Sequence, residues 1–210
     1  MKIKGFVTGM LGVNTYLAYD DNGKAFIVDP GGMDQRIMDI IQNENLDVEY
    51  IVLTHGHCDH IGGIPALREA IPGIKVVAYI DEKEMLESPA QNSSTMFLGI
   101  PMSETADIWV RDNEVMNIGD MELKFIHTPG HSKGGMCILV EEICFSGDTL
   151  FRASVGRSDL YGGDWNTLME SIRKRLYVLP EDTVVLPGHM GETTIGYEKR
   201  YNPFVQDRNC

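Results

Sequence analysis

The sequence predicts an α/β protein in which two sheets pack face to face inside layers of helices. Three observations carry this. Strand-like apolar runs gather into two groups, one ending near residue 80 and one spanning 108–147. Helix-like segments with one apolar face lie among and after them, and each such face has to be buried against another layer. No internal repeat, low-complexity tract or linker divides the 210 residues, a length that suits one substantial domain with its own core. The expected unit is a single domain over 1–210.

The elements follow in chain order. Residues 2–8, 14–19 and 24–28 read as strands, with Asp20-Asp21-Asn22-Gly23 as the hairpin turn before the third. From Met33 to Asn45 the placing of Ile37, Ile40 and Ile41 at i, i+3, i+4 predicts a helix with one buried face. A buried strand follows at 50–54, and Pro65 suits the first turn of a helix through Ala70. Lys75 to Ile80 returns as a strand, after which Asp81 and Glu84 have the spacing of a capping box. Residues 88–106 mix Pro, Gly, Asn and Ser with Met96, Phe97, Leu98, Ile100 and Met102. Such a segment reads either as a substrate lid or as a short helix packed on the surface. The second group includes the alternating run Glu122–His127 and the run Ile143–Phe145. A helix capped by Asp164 follows, with Leu168, Ile172 and Leu176 on one face, and Thr183–Leu186 supplies a last short strand.

Composition narrows the function classes. A formal net charge of −13 is the opposite of the basic footprint that nucleic-acid binding requires, so no nucleic-acid partner is expected. No stretch approaches the ~18 apolar residues of a membrane span. The start, Met1-Lys2-Ile3-Lys4-Gly5-Phe6, lacks the apolar centre and cleavage site of a secretory signal. Cysteines 58, 137, 144 and 210 show no paired C-x-x-C spacing. Cys137 and Cys144, inside apolar runs, are expected as buried free thiols. Cys58 is read as a small filler, with oxidation sensing as its alternative. The cytoplasm, where thiols stay reduced, is the compartment this cysteine usage fits best. Asn92-Ser93-Ser94 matches a glycosylation sequon, read as chance without a secretory signal.

Chemistry concentrates in the histidines. His55-Gly56-His57-Cys58-Asp59-His60 puts three of the six histidines and a carboxylate directly after an apolar run. A loop leaving a buried strand is fixed at its base and open at its tip, which suits a metal site, and Gly56 is expected to let the backbone bend. His131 and His189 follow Gly/Pro-marked turns after further apolar runs, and Asp148 follows Ser146-Gly147. Four strand ends thus offer His or Asp. The donors divide into His55, His57 and His131 for one metal and Asp59, His60 and His189 for another, with Asp148 left to bridge. Seven donors exceed one tetrahedral zinc and suit two ions a few ångströms apart.

In this order, His-x-His-x-Asp-His at 55–60 followed by His131, Asp148 and His189 resembles the metallo-β-lactamase superfamily, and Val28-Asp29-Pro30-Gly31 is similar to its first motif. The resemblance runs from about Asn14 to His189. It implies a four-layered αββα sandwich with two divalent metal ions, zinc or else iron or manganese, at one edge between the sheets. Asp29 would brace the metal loop, and His127, on the strand four residues before His131, would support the ligands from behind or serve the structure alone.

Two metals sharing a hydroxide would lower the pKa of water from about 15.7 to about 7 and polarise the oxygen under attack. Asp59 would orient that hydroxide while holding its metal. Gly-x-Ser-x-Gly is absent. No further acid stands out, which favours a good leaving group; a thiol with a pKa near ~8.5 leaves readily from a thioester. Gly147-Asp148-Thr149-Leu150-Phe151 with Gly156-Arg157 resembles glyoxalase II, the hydroxyacylglutathione hydrolases. That likeness implies that Arg157 grips a substrate carboxylate; the alternative for Arg157 is an ion pair in a turn. The end of the chain resembles the short, single-domain members that lack a C-terminal helical glutathione-binding domain. Lys199 and Arg200 would replace the missing contacts, or else form a solvated helix end. A mononuclear-iron persulfide dioxygenase is the alternative on this scaffold and would use His55, His131 and Asp148 alone. A nuclease of the same fold and a non-enzymatic metal-binding protein rank below both. The expected partner is a small-molecule thioester; the sequence leaves the oligomeric state open.

Overall fold

A computed structural model describes residues 1–205; Cys210 lies outside them. The first sheet holds β1 (Lys2–Thr8), β2 (Val13–Tyr19), β3 (Lys24–Val28), β4 (Asp47–Val52), β5 (Lys75–Tyr79) and β6 (Ile108–Val110), side by side in that order. Its first three strands pair antiparallel through tight turns, and β3 to β6 pair parallel. Parallel neighbours need crossovers, and helices provide them: α1 (Gln35–Asn43), α2 (Cys58–Ile61), α3 (Ile64–Ala70), α4 (Lys83–Glu87) and α5 (Ser94–Phe97). The second sheet is built from β7 (Val115–Ile118), β8 (Met121–His127), β9 (Met136–Val140), β10 (Ile143–Gly147), β13 (Val184–Pro187) and β14 (Thr193–Thr194), in the order β14-β13-β10-β9-β8-β7. Between its strands lie a small ribbon, β11 (Leu150–Phe151) with β12 (Ser154–Val155), and the helix α6 (Trp165–Ser171), which continues as a wider π turn over Ile172–Leu176. The last helix is α7 (Ile195–Tyr201).

Alternation along the strands divides the apolar side chains into three cores. In β3, Phe26 and Val28 face the second sheet, while Ala25 and Ile27 face the helices. Phe26, Val52, Val77, Leu123, Phe125 and Phe145 fill the space between the sheets. Ile37, Ile51, Ile64, Leu67 and Leu86 form the core under α1 and α3, and Ile126, Cys144, Leu168, Ile172 and Leu176 form the one under α6. Sheets buried on both faces in this way give four layers: helix, sheet, sheet, helix. Cys58, Cys137 and Cys144 are free and buried. Among the described residues no helix is long and apolar enough to cross a membrane.

Several expectations shift. The first helix begins at Gln35 rather than Met33, because the Asp34 carboxylate accepts the Arg36 N–H at 2.9 Å and caps it there. Asp81 and Glu84 form no capping box: a 3-10 turn over Ile80–Glu82 comes first, and Glu84 accepts instead from Tyr161 and Lys133. Within 88–106 the only helix is α5, four residues long, so neither reading of that segment describes it alone. Asn92 of the sequon is fully buried, its amide donating to the Met102 carbonyl and accepting from Ser94 N–H, so a glycan has no access to it in this fold.

Candidate metal centre

The strand ends converge at one edge of the sandwich. The loop after β4 carries His55 and His57, α2 carries Asp59 and His60, and the turns after β8, β10 and β13 deliver His131, Asp148 and His189. His57 Nδ1 and His55 Nε2 lie 2.9 and 3.1 Å from His131 Nε2. Across from them, His189 Nε2 lies 3.1 Å and His60 Nε2 3.7 Å from Asp59 Oδ2. Asp148 stands between the two sets, with Oδ1 3.4 Å from His60 Nε2 and Oδ2 3.7 Å from His131 Nε2 and 3.8 Å from His189 Nε2. Gly188 permits that approach, since a Cβ there would overlap the Asp148 carboxylate and the His60 ring.

Outer contacts decide which nitrogen of each ring is free. His60 Nδ1–H donates to Asp29 Oδ2 at 2.9 Å, and His131 Nδ1–H donates to the Arg157 carbonyl at 2.7 Å. The Thr54 hydroxyl donates to Asp29 Oδ2 at 2.6 Å, so its oxygen is left to accept from His55 Nδ1–H at 3.1 Å. Asp29 Oδ1 also takes the Thr54 N–H at 2.7 Å. One buried carboxylate therefore fixes His60 directly and His55 through a threonine, in the manner of the outer partners that orient metal ligands.

The electrostatics differ between the two halves. Burial and the surrounding imidazoles drive His55 well below the usual histidine range, burial and then His131 bring His57 down to about 3, and burial lowers His131. These rings are neutral, the form in which an imidazole binds metal. Burial acts on His60 in the same direction, but Asp59, Asp148 and Asp29 outweigh it and raise that group well above the usual range. For Asp59 and Asp148 the opposing pull of burial is outweighed first by His60, so both stay ionised. The donor set fits divalent cations on a further observation: His60 Nε2 and Asp148 Oδ1 are buried with no hydrogen-bond partner, although buried polar atoms almost always have one. His57 Nε2 is also unpartnered; it is the nitrogen opposite the clustered Nδ1, and a metal does not account for it.

A cleft of about 380 Å³ opens onto this centre. His57, Asp59, His131, Asp148 and His189 form its floor, and Leu11, Phe97, Phe151, Leu160 and Arg157 form its walls. A larger cleft of about 680 Å³ beside Trp165 and Phe204 contains none of these donors, so size alone does not mark the site.

His127 stacks flat on Tyr79, with centroids 4.2 Å apart, and its Nε2 donates to the Lys133 carbonyl, so it braces the turn after His131 and supports no ligand ring directly. Lys199 and Arg200 line no part of the cleft; Arg200 pairs with Glu181 on the far side of α7 from the buried Glu198. Arg157 forms the ion pair of its second reading, bonding Asp159 twice at 2.7 and 2.9 Å, and its guanidinium lies 5.9 Å from the Phe97 ring in the cleft wall. Gly56 does not have a positive φ, and its missing Cβ makes room for Glu82 Oε2, which would lie 3.0 Å away. Residues not foreseen are Thr54, Glu82 and the apolar wall of Leu11, Phe151 and Leu160. Leu11 had a signal, an apolar pair held between Gly9 and Gly12 at a hairpin tip.

The sequence matches the family described as Metallo-beta-lactamase superfamily over residues 8–189. The chain belongs to that superfamily. A probable metallo-hydrolase, YqgX, of Bacillus subtilis is 38% identical over 98% of this chain and 98% of its own length. The hydroxyacylglutathione hydrolase GloC of Haemophilus influenzae is 33% identical over 93% of this chain and 94% of its own. Among solved structures, the BLEG-1 B3 metallo-beta-lactamase superposes with a TM-score of 0.92 at 38% identity, covering 98% of this chain and 100% of that one. TTHA1623 in a di-iron-bound form gives 0.84 at 34% identity, covering 96% and 99%. The protein is a metallo-beta-lactamase-fold protein with His/Asp clusters able to hold metal ions.

Proposed function

We propose that the protein is a dinuclear-metal thioester hydrolase, with hydroxyacylglutathiones as its substrate class and one domain carrying the whole site. The observation that carries the reading is Asp148, whose two carboxylate oxygens lie between two complete donor sets while one of them has no other partner. His55, His57 and His131 would hold one ion, Asp59, His60 and His189 the other, and Asp148 both. Bound there, divalent metals supply Lewis acidity and water with a pKa near ~7. Zinc suits the nitrogen-rich set, and the di-iron neighbour makes iron the first alternative.

The chain's own groups supply the rest. Asp59, ionised, would orient the attacking hydroxide while holding its metal. The apolar walls Leu11, Phe97, Phe151 and Leu160 exclude bulk water around the acyl group. The thiolate leaves without an acid, consistent with a floor whose histidines are all committed to the cluster. Arg157, at the mouth, exchanges Asp159 for a carboxylate of the thiol carrier. The GloC relative supports this substrate, and the buried free thiols fit a reducing cytoplasm. A mononuclear-iron persulfide dioxygenase would use His55, His131 and Asp148 and leave His60 Nε2 unpartnered, so the full donor set favours two metals. The test is hydrolysis of S-lactoylglutathione by protein with both metals bound. Turnover is expected, with Asp59→Asn lowering kcat by about 100-fold or more. No turnover by the fully loaded wild type would overturn the thioester assignment.

A further inference from the structure

Glu82 is a buried carboxylate that the proposed chemistry does not use. It closes the 3-10 turn after β5 and is 1% exposed. Burial pushes its carboxyl up, three hydrogen bonds oppose that, and the neighbouring charge acting on it, Asp81, has the same sign. A carboxylate in such a place costs more than an apolar side chain of its size unless its bonds have a use.

Those bonds end on two particular loops. Oε2 accepts the Gly56 N–H at 2.8 Å, between His55 and His57. Oε1 accepts the Ser132 hydroxyl at 2.6 Å and the Gly134 N–H at 2.7 Å, in the turn that begins at His131. Both loops approach this residue closely, and at Gly134 only glycine fits. A Cβ on Gly56 would lie 3.0 Å from Glu82 Oε2, and one on Gly134 would lie 2.6 Å from the Glu82 nitrogen. The loops that Glu82 joins carry all three imidazoles of one half of the centre. It makes no bond to the segments carrying Asp59, His60 or His189, and among the described residues Asp29 is the carboxylate that braces His60.

We propose that Glu82 is a positioning residue that sets the separation of the His55–His57 and His131 loops and so tunes metal affinity in the three-imidazole half alone. This rests on the dinuclear reading. Metal–nitrogen bonds of about 2.0–2.1 Å tolerate little displacement of three rings drawn from two loops, and Glu82 is a side chain that bonds to both loops, beside the main-chain tie from Met136 N–H to the Thr54 carbonyl.

Glu82→Gln keeps the shape but replaces one accepting oxygen with an NH2 group that has no lone pair for the donor it faces. Cobalt(II) titration followed by absorption separates the halves, since one offers three imidazoles and the other a carboxylate with two. Competition with a chromophoric chelator gives each zinc affinity, and the unfolding midpoint of the metal-free protein reports general damage. Wild type is expected to bind two ions. In Glu82→Gln the three-imidazole half should weaken on the order of 10–100-fold, with the other half within about twofold. Equal weakening of both halves, or none in either, overturns the proposal while leaving the dinuclear reading intact. Wild type binding a single ion overturns the dinuclear reading and this proposal with it. If Glu82→Gln does not fold, Ser132→Ala removes one of the three bonds and decides the matter: a smaller loss confined to the same half supports the proposal, and an unselective one overturns it.

Discussion

Arg157 serves the site through two separate groups. Its main-chain carbonyl receives the His131 Nδ1–H at 2.7 Å, while its side chain, half exposed, reaches the cleft wall and Asp159. Truncation to alanine keeps the first contact and removes the second. Arg157→Ala should therefore raise KM for a thioester with carboxylates on its carrier by about tenfold, with kcat nearly unchanged and metal content equal to wild type. A fall in kcat with KM constant would show that the guanidinium acts on the reacting bond rather than on the carrier. Cys58 invites a different test. Burial, and then the Asp59 charge, push its thiol up to about 11, so at pH 8 it is almost entirely un-ionised and slow to react. Native protein treated with iodoacetamide at pH 8 should stay unmodified at Cys58 by mass spectrometry; rapid labelling would revive the oxidation-sensing role. That these seven histidines and aspartates gather was legible in the sequence because they crowd at turns that follow apolar runs, a local pattern. Thr54 and Glu82 were not legible, since a threonine beside a histidine and a glutamate at a helix start look ordinary until another loop folds onto them. For Lys199 and Arg200 the sequence left two readings open, because basic residues at a helix end suit its dipole without any substrate, and the ion pair of Arg200 with Glu181 became visible once the chain was folded.

Elements carry the site's precision, and α6 shows how. The Asp164 N–H donates to the Gly130 carbonyl at 2.9 Å, and a Cβ on Gly130 would overlap the Leu168 main chain, so the helix start is pressed against the residue before His131. Leu168 is fully buried in the core beneath. Leu168→Ala should cost about 2–5 kcal/mol of stability in urea unfolding and also weaken metal binding through the His131 turn. Lost stability with metal affinity unchanged would mean the turn holds its shape without the helix. Strand and helix identities were legible because alternation and i, i+3, i+4 spacing are properties of short windows. The boundaries were less so. The fourth strand stops at Val52 rather than Thr54 because the Thr54 N–H is taken by Asp29, 25 residues away, instead of a neighbouring strand. The 88–106 segment is held by Asn92, whose carbonyl accepts the Cys58 N–H at 2.9 Å, and this tie to the metal loop brings Phe97 into the cleft wall.

At the scale of the whole molecule, the donors come from both sheets: His55, His57, Asp59 and His60 follow β4 of the first, and His131, Asp148 and His189 follow β8, β10 and β13 of the second. Metal bound there cross-links the two sheets at an edge where the apolar core between them ends. Without metal, that edge holds Asp59 and Asp148 ionised and the lone pairs of neutral imidazoles about 3 Å apart. Binding to the folded state alone stabilises it by RT ln(1 + [M]/Kd), about 2.7 kcal/mol at a hundredfold excess over Kd. Chelation should therefore lower the thermal midpoint by several degrees, and re-addition of zinc should restore it in proportion to log[Zn]. Asp148→Asn should flatten that dependence, because it weakens the one group placed to serve both ions. A midpoint that does not move when the metal is demonstrably removed would mean that the sheets are locked by their apolar core alone, and that the donor cluster is held in its strained arrangement by the fold rather than by the ions.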